Sequence, residues 1–415
     1  MKFVLATDIH YISRQLTQDS RLFEETYLRS DGKQMNYITE ITDAFLEQVI
    51  QMKPDGGLIL SGDITYNGER ISHIEMAKKL ERVRQQGIPV YVIPGNHDIN
   101  NYRAFKYLSD SMSPVENISA REFREIYADC GYNQASFKDP FSLSYIVCPD
   151  EKLWLIMLDT CIYEENNMEE PSVSGGTIRH ETLSWLDDCL YYAYKHNATP
   201  LVVGHHNLLL HNDVYNKNFT VNNYEELLEL LARYEVPVYF SGHMHVQHIA
   251  EWKTQGREIY DVATSSLAVY QNQFGIINCK PTRSISYTTC RLDMENWAAK
   301  NAPDNDDLMN FKQYSAQFFE KLTYRKEFNK LINQYYSPQD ADKMAQVIVK
   351  LNLAYFSGKV DNVQNEIIDS DGFKLWLIQG TGTTKRYILS MLKPVLQDNT
   401  CLILFSPTAI RESLE

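Results

Sequence analysis

No stretch of this 415-residue chain approaches the ~20 consecutive apolar residues that span a bilayer. No apolar leader with a small-residue cleavage site follows Met1-Lys2-Phe3 either, so a soluble, cytoplasmic protein is expected. Cysteine is sparse: the seven are scattered, odd in number and never spaced Cys-x-x-Cys. That argues against a disulfide framework and fits free thiols in a reducing compartment. Basic residues are short as well, 40 against 54 acidic, and no dense Lys/Arg cluster interrupts the net charge of −14. Such a surface repels nucleic acid and anionic membrane, and neither is expected as a partner. A small anionic substrate drawn in by bound metal suits it better. No repeat or low-complexity segment occurs, and nothing bears on oligomeric state. With 44% hydrophobic and 12% aromatic residues, a sizeable core is expected and wholesale disorder is not.

What the chain does contain is one pattern, five times over. A short apolar run ends in metal-binding residues at Val4–His10, Leu58–Asp63, Val90–Asp98, Leu201–His206 and Val238–His245. Four to six β-formers bounded by Gly or Pro predict buried strands. In α/β folds ligands gather at the carboxyl ends of such strands, so five ends can converge on one spot.

Between the runs, apolar spacing predicts helices over Tyr37–Gln51, Glu69–Gln86, Ile178–His196 and Tyr224–Arg233. Ser142–Val147 and Leu153–Leu158 predict further strands. Period-two strands from His245 to about Leu292 predict a second sheet packed on the first. The polar insertion Ser13–Asn36 follows the first motif directly and is placed to overhang a substrate pocket. Asn296–Asn310 reads as a linker. Beyond it, Phe311, Tyr314, Phe318 and Leu322 recur at helical spacing. Ser337-Pro338 predicts a helix start, Gly358 a helix end, and Lys385–Gln397 a helix bent at Pro394.

The donors have a common chemistry. Asp8 and His10 lie two apart and share a side of their strand end. Asn96, His97 and Asp98 put an amide oxygen, an imidazole and a carboxylate in one turn. His243 and His245 project two imidazoles together. In the fourth motif either His205 or His206 can be the donor. Mixed nitrogen and oxygen ligands suit Mn, Fe, Zn, Co or Ni. No cysteine enters the motifs, which argues against a closed structural zinc site.

Asp8-x-His10, Gly62-Asp63, Gly95-Asn96-His97-Asp98, His205 and Gly242-His243-x-His245 resemble, motif for motif, the calcineurin-like metallophosphoesterases over about residues 1 to 290. Within that superfamily the pattern is most similar to class III cyclic nucleotide phosphodiesterases, some of which carry a C-terminal helical domain. Thr264-Ser265-Ser266-Leu267 and Phe274-Gly275 also resemble that branch. The resemblance implies an α/β fold, a four-layer αββα sandwich with a small C-terminal helical domain, divided as 1–292 and 293–415. It implies two metal ions, manganese or iron foremost. One would be held by Asp8, His10 and His245, the other by Asn96, His205 and His243, with Asp63 bridging. It favours His205 over His206, leaving His206 as a neighbour or substrate contact. It makes His97 the general acid beside the phosphate and Asp98 its orienting partner. His73, His180, His196, His211 and His248 are expected on the surface.

Two ions ~3.5–4 Å apart can clamp phosphate oxygens and hold a bridging hydroxide in line with the leaving oxygen. The implied activity is hydrolysis of small nucleotide phosphodiesters, 3′,5′-cyclic AMP or GMP foremost. Nucleotide pyrophosphatase, glycerophosphodiesterase and phosphomonoesterase are the alternatives, because the motifs meet only phosphate and metal. A nuclease fits the acidic surface poorly. A non-catalytic scaffold fits a filled ligand set poorly.

Overall fold

The computed structural model describes residues 1–17, 20–254, 256–280, 284–393 and 398–405. Each of the five apolar runs forms a strand: β1 (Lys2–Ala6), β2 (Gly57–Ser61), β3 (Val90–Ile93) and, further on, β9 and β10. After β3 come the hairpin β4 (Phe105–Tyr107) and β5 (Met112–Pro114), then β6 (Phe137–Lys138), β7 (Tyr145–Asp150) and β8 (Leu153–Met157). They are followed by β9 (Thr199–Val203), β10 (Val238–Ser241), β11 (His248–Thr254), β12 (Arg257–Ala263), β13 (Gln273–Cys279), β14 (Ser284–Arg291) and β15 (Cys401–Phe405).

One sheet has the order β15-β14-β13-β1-β2-β3, the other β11-β12-β10-β9-β8-β7-β6. β1, β2 and β3 are parallel to one another, as are β8, β9, β10 and β12. Parallel pairing requires crossovers; helices supply those among β1, β2 and β3 and among β8, β9 and β10, while β11 connects β10 to β12. The helices α1 (Arg21–Tyr27), α2 (Ile38–Met52), α3 (Arg70–Arg84), α4 (Ala120–Ile126), α5 (His180–Lys195) and α6 (Tyr224–Arg233) belong to this half.

Side-chain alternation then sorts the layers. Leu155, Met157, Leu201, Val203, Val238 and Phe240 share a core with the first sheet, with Ile41, Phe45 and Val49 of α2 and with Met76, Leu80 and Val83 of α3. The intervening Ile156, Val202 and Tyr239 pack instead with Leu186 and Leu190 of α5 and Leu227 and Leu231 of α6. Helix, sheet, sheet, helix is the αββα order.

The rest of the chain departs from the sequence reading in three places. The strands after His245 form no sheet of their own. β11 and β12 extend the second sheet beside β10, while β13 and β14 join the first beside β1. The segment read as a linker contains α7 (Met294–Asn301) and α8 (Asp306–Met309), whose Met294, Ala298 and Leu308 are buried in the main core. The tail is not wholly helical, since β15 pairs antiparallel with β14.

Between these lie α9 (Phe311–Asn333), α10 (Pro338–Phe356), α11 (Gln364–Asp369), α12 (Asp371–Gln379) and α13 (Gly382–Met391). Ser337 caps α10 by accepting from the Asp340 amide, with Pro338 at the first helical position. Met344, Val347, Ile348, Leu351, Trp376 and Ile388 form a separate core that also takes in Met244 and Val246 from the end of β10. α13 ends at Met391, and the bend expected at Pro394 lies outside the described residues. Among the described residues no helix is long and apolar enough to cross a membrane.

Candidate metal centre

Asp8, His10, Asp63, His243 and His245 all adopt left-handed backbone, with φ of 52, 51, 48, 65 and 61°. Residues with a Cβ rarely do so, and the cost is borne where surrounding structure dictates it. Here the turns are stitched to one another. The Asp8 amide donates to the Gly62 carbonyl (3.1 Å), the His10 amide to the Asp63 carbonyl (2.9 Å) and the Gly242 amide to the His205 carbonyl (3.0 Å). Ser266, in the Thr264–Leu267 run, donates its hydroxyl to the Asp8 carbonyl at 2.8 Å. Two motif glycines clear space for ligands from other strands. A Cβ on Gly95 would strike the Asp63 amide and carboxylate, and one on Gly242 would press on Thr7 and on Asp8 Oδ2.

The donors gather in three overlapping groups: Asp8 with His10 and His245, His10 with Asp63 and His97, and Asp63 with His205 and His243. In the first, His10 Nε2 lies 3.2 Å from His245 Nε2 and 3.8 Å from Asp8 Oδ1. Asp8 Oδ2 accepts from Thr7 Oγ1 (2.7 Å) and the His243 amide (2.9 Å). Oδ1 has no well-aligned donor and lies 3.2 Å from His245 Nε2. Asp63 stands between the groups, with Oδ2 3.8 Å from His10 Nε2 and Oδ1 3.5 Å from His205 Nε2. His205 Nε2 also faces Asn96 Oδ1 at 3.2 Å.

Donor atoms 3.2–3.8 Å apart have the spacing of ligands ~2.0–2.2 Å from a shared ion. Outer contacts orient the rings as metal-binding histidines require. His205 Nδ1 is 2.8 Å from the Ser61 carbonyl and His243 Nε2 is 2.9 Å from the Asn218 carbonyl. The residues therefore fit a pair of metal ions.

Electrostatics agree with a site built for cations. Burial alone would raise the Asp63 pKa, but His97 and His205 outweigh it and hold the carboxyl well below its usual range. Burial works against a charged His205, yet Asp63 lifts that ring to about 9. Burial brings His97 down to about 4 and His243 to about 3.

His97 is not oriented by Asp98. Its Nδ1 lies 2.7 Å from the Tyr66 carbonyl, so Nε2 faces the centre, 3.9 Å from Asp63 Oδ2. Asp98 is buried and accepts from the amides of Ile64, Thr65 and Gly95 and from the Thr65 hydroxyl. It ties the Asp63 turn to the Asn96 turn.

His206 is buried beside the centre, with Nδ1 2.7 Å from Thr160 Oγ1 and Nε2 3.2 Å from the Ser174 carbonyl. His180 and His196 are exposed, but His73, His211 and His248 do not lie free on the surface. His73 is buried against Tyr127 and the Asp98 carbonyl, and His211 contacts both Asp261 and His248 beneath the helical region. The Tyr66, Ser61 and Asn218 carbonyls carry no side-chain signature that a sequence reading could find.

Residues 1–247 match the family model described as calcineurin-like phosphoesterase, and residues 293–398 that described as the C-terminal domain of cyclic nucleotide phosphodiesterase. A "probable glycerophosphodiester phosphodiesterase GpdQ" of Arcobacter nitrofigilis is 28% identical over 240 residues, 55% of this chain and 72% of the relative. Among solved structures, a dimetal phosphatase from Danio rerio has a TM-score of 0.48 at 13% identity, covering 70% of this chain and 95% of its own. GAP50, the anchor in the inner membrane complex of Plasmodium, has 0.38 at 12%, covering 71% and 85%. Both are likenesses of shape alone.

Proposed function

This chain belongs to the calcineurin-like phosphoesterases, and on that premise we propose that it is a two-metal phosphodiesterase of small nucleotides, 3′,5′-cyclic AMP or GMP foremost. Asp8, His10 and His245 would hold one ion, Asn96, His205 and His243 the other. Asp63 would serve both. The observation that carries the proposal is the Asp63 carboxylate, which turns one oxygen toward each donor group. When bound, two such ions supply positive charge to the phosphoryl oxygens and acidify water near neutral pH.

The chain's own residues do the rest. Asp63 and Asp8 offset the charge of the ions, and a carboxylate spans two cations better than a neutral ligand. His97 keeps Nδ1–H on the Tyr66 carbonyl, so a proton passed to the leaving oxygen comes from Nε2. Burial lowers the ring to about 4, and an anion beside Nε2 raises its affinity for that proton.

The match of residues 293–398 supports cyclic nucleotides as substrate. The similarity to the Arcobacter nitrofigilis relative favours a second reading, a glycerophosphodiesterase. Seven free cysteines support a reducing compartment, the cytoplasm. The test is an activity matrix of manganese, iron, zinc, cobalt and nickel against cyclic nucleotides, glycerophosphodiesters, nucleotide anhydrides and monoesters. Cyclic nucleotides should give the highest kcat/KM. A higher value on glycerophosphodiesters would establish the second reading instead.

A further inference from the structure

One donor ring leans on a loop that the helical region holds. His243 follows β10, and Met244 and Val246 beyond it are packed into the core of the helical region, which fixes its backbone. Its ring is fixed elsewhere. The Asn218 carbonyl lies 2.9 Å from Nε2, and the Phe219 ring lies 5.2 Å away, centroid to centroid. Asn218 has φ +70°, a left-handed turn that asparagine accepts more readily than most residues with a Cβ.

The loop carrying Asn218 has few attachments of its own. Between the buried Asn212 and Thr220, the residues Asp213, Tyr215, Lys217 and Asn218 are exposed. Asn212 Oδ1 accepts from the Val214 and Tyr215 amides, and the Asn216 carbonyl accepts from the Phe219 and Thr220 amides. Those bonds shape turns and reach no other element, and exposed segments of this kind open at low cost. The anchors come from the helical region. The Asp213 amide donates to Ser390 Oγ of α13 at 2.9 Å, and the Asp213 carboxylate pairs with Lys393. The Tyr215 ring meets the Tyr387 ring of α13 at 5.0 Å, and Tyr355 of α10 donates its hydroxyl to the His211 carbonyl at 3.1 Å. Phe219 itself packs against the helical core.

We propose that the helical region positions His243 for the second ion, with Asn218 as the positioning residue and Tyr387, Ser390 and Lys393 as anchors of its loop. The proposal deepens the two-metal reading. It rests on that reading for what the ring does, and on the contacts above for how the ring is held. A carbonyl only accepts, so Nε2 carries the proton and Nδ1 is left to face an ion beside Asp63 and His205. A ligand has to be held to within about 0.5 Å of its working position, and a carbonyl on an untethered loop cannot do that. Loosening the loop should therefore weaken the ion of Asn96, His205 and His243 and spare the other. The helical region then acts on the chemistry without touching the reacting group.

The test follows the side-chain nitrogens of histidine in ¹⁵N-histidine-labelled full-length protein by NMR during titration with zinc alone. His205 and His243 report one ion, His10 and His245 the other. Metal-free native protein should show His243 as the Nε2–H tautomer, with Nδ1 shifting as zinc binds. Asn218→Val, which resists a positive φ, should lose that tautomer and weaken the ion at His243 roughly 10–100-fold, leaving the ion at His10 unchanged. Asn218→Gly, which accepts the turn, should stay near native affinity. Ser390→Ala combined with Lys393→Met, both far from the donors in sequence, should weaken the same ion several-fold. Equal weakening of both ions in Asn218→Val would mark a purely structural role and overturn the proposal. Native affinity for both ions in the Ser390→Ala, Lys393→Met variant would overturn it too, as would an Nδ1–H tautomer in the native chain. Binding of a single zinc ion by a native chain that keeps Nε2–H, with the tautomer lost in Asn218→Val, would instead overturn the two-metal reading alone.

Discussion

The Nδ1 atom of His97 lies 2.7 Å from the carbonyl oxygen of Tyr66, and this contact decides which ring nitrogen can serve the reaction. A backbone carbonyl can only accept, so Nδ1 carries a proton and Nε2 is the exchangeable site. His97→Ala should therefore keep its metals and lose ~10²–10⁴-fold in rate. The loss should be larger on a poor leaving group than on nitrophenolate. Equal losses on both would remove the proton-donor role.

Asp98 has a different task, and its variant should fail differently. Asp98→Asn replaces an acceptor oxygen with an amide group facing the buried amides of Ile64, Thr65 and Gly95. Each donor left without a partner costs about 1–3 kcal/mol. Urea unfolding should show that loss together with weaker metal retention, since the tied turns carry Asp63 and Asn96. A variant of native stability with His97-like kinetics would restore the orienting role to Asp98.

Acid should weaken the fold through His73. This fully buried ring is held to about 3 by burial, against an ordinary value near 6.5. Between those limits the unfolded chain binds a proton that the folded chain refuses. The stabilisation is complete above ~6.5 and is lost as pH falls toward 3, by at most about 1.4 kcal/mol per pH unit. Glu69, pushed up to about 8 by burial, runs the other way, losing stability as pH rises. The comparison is thus of slopes in metal-free protein: Tm of His73→Gln should fall less steeply from pH 7 to 5 than that of the native chain. Parallel slopes would contradict a neutral buried His73.

The candidate metal donors can be picked out of the sequence because they follow the ends of five strands, where a local pattern and one topological rule suffice, and the structure groups most of them. His73, His211 and His248 were misread as surface residues because their burial depends on partners far along the chain, Tyr127 and Asp261 among them. Asn296–Asn310 looked like a linker because α7 and α8 bury only a few apolar positions. Nothing within Cys401–Phe405 announces that the open edge of β14 will recruit it. The Tyr66 carbonyl, which replaces Asp98 as the partner of His97, belongs to the backbone and leaves no trace in residue identity.

The same packing makes the helical region costly to remove. Truncation after Leu292 would take away Met294, Ala298, Leu308, Phe311, Leu402 and Leu404 from the main core and uncover the edge of β14. At roughly 1.5–3 kcal/mol for each large apolar side chain, the loss rivals the ~5–15 kcal/mol that stabilises a typical domain. The fragment should aggregate or unfold without a cooperative transition. A soluble fragment with native Tm would show that residues 1–292 fold alone.

The most direct measurement of the central claim is anomalous scattering from crystals of the full chain soaked in manganese. Two peaks ~3.5–4 Å apart, one beside Asp8, His10 and His245 and one beside Asn96, His205 and His243, with Asp63 touching both, are expected. A single peak, or none within reach of Asp63, would contradict a two-metal centre.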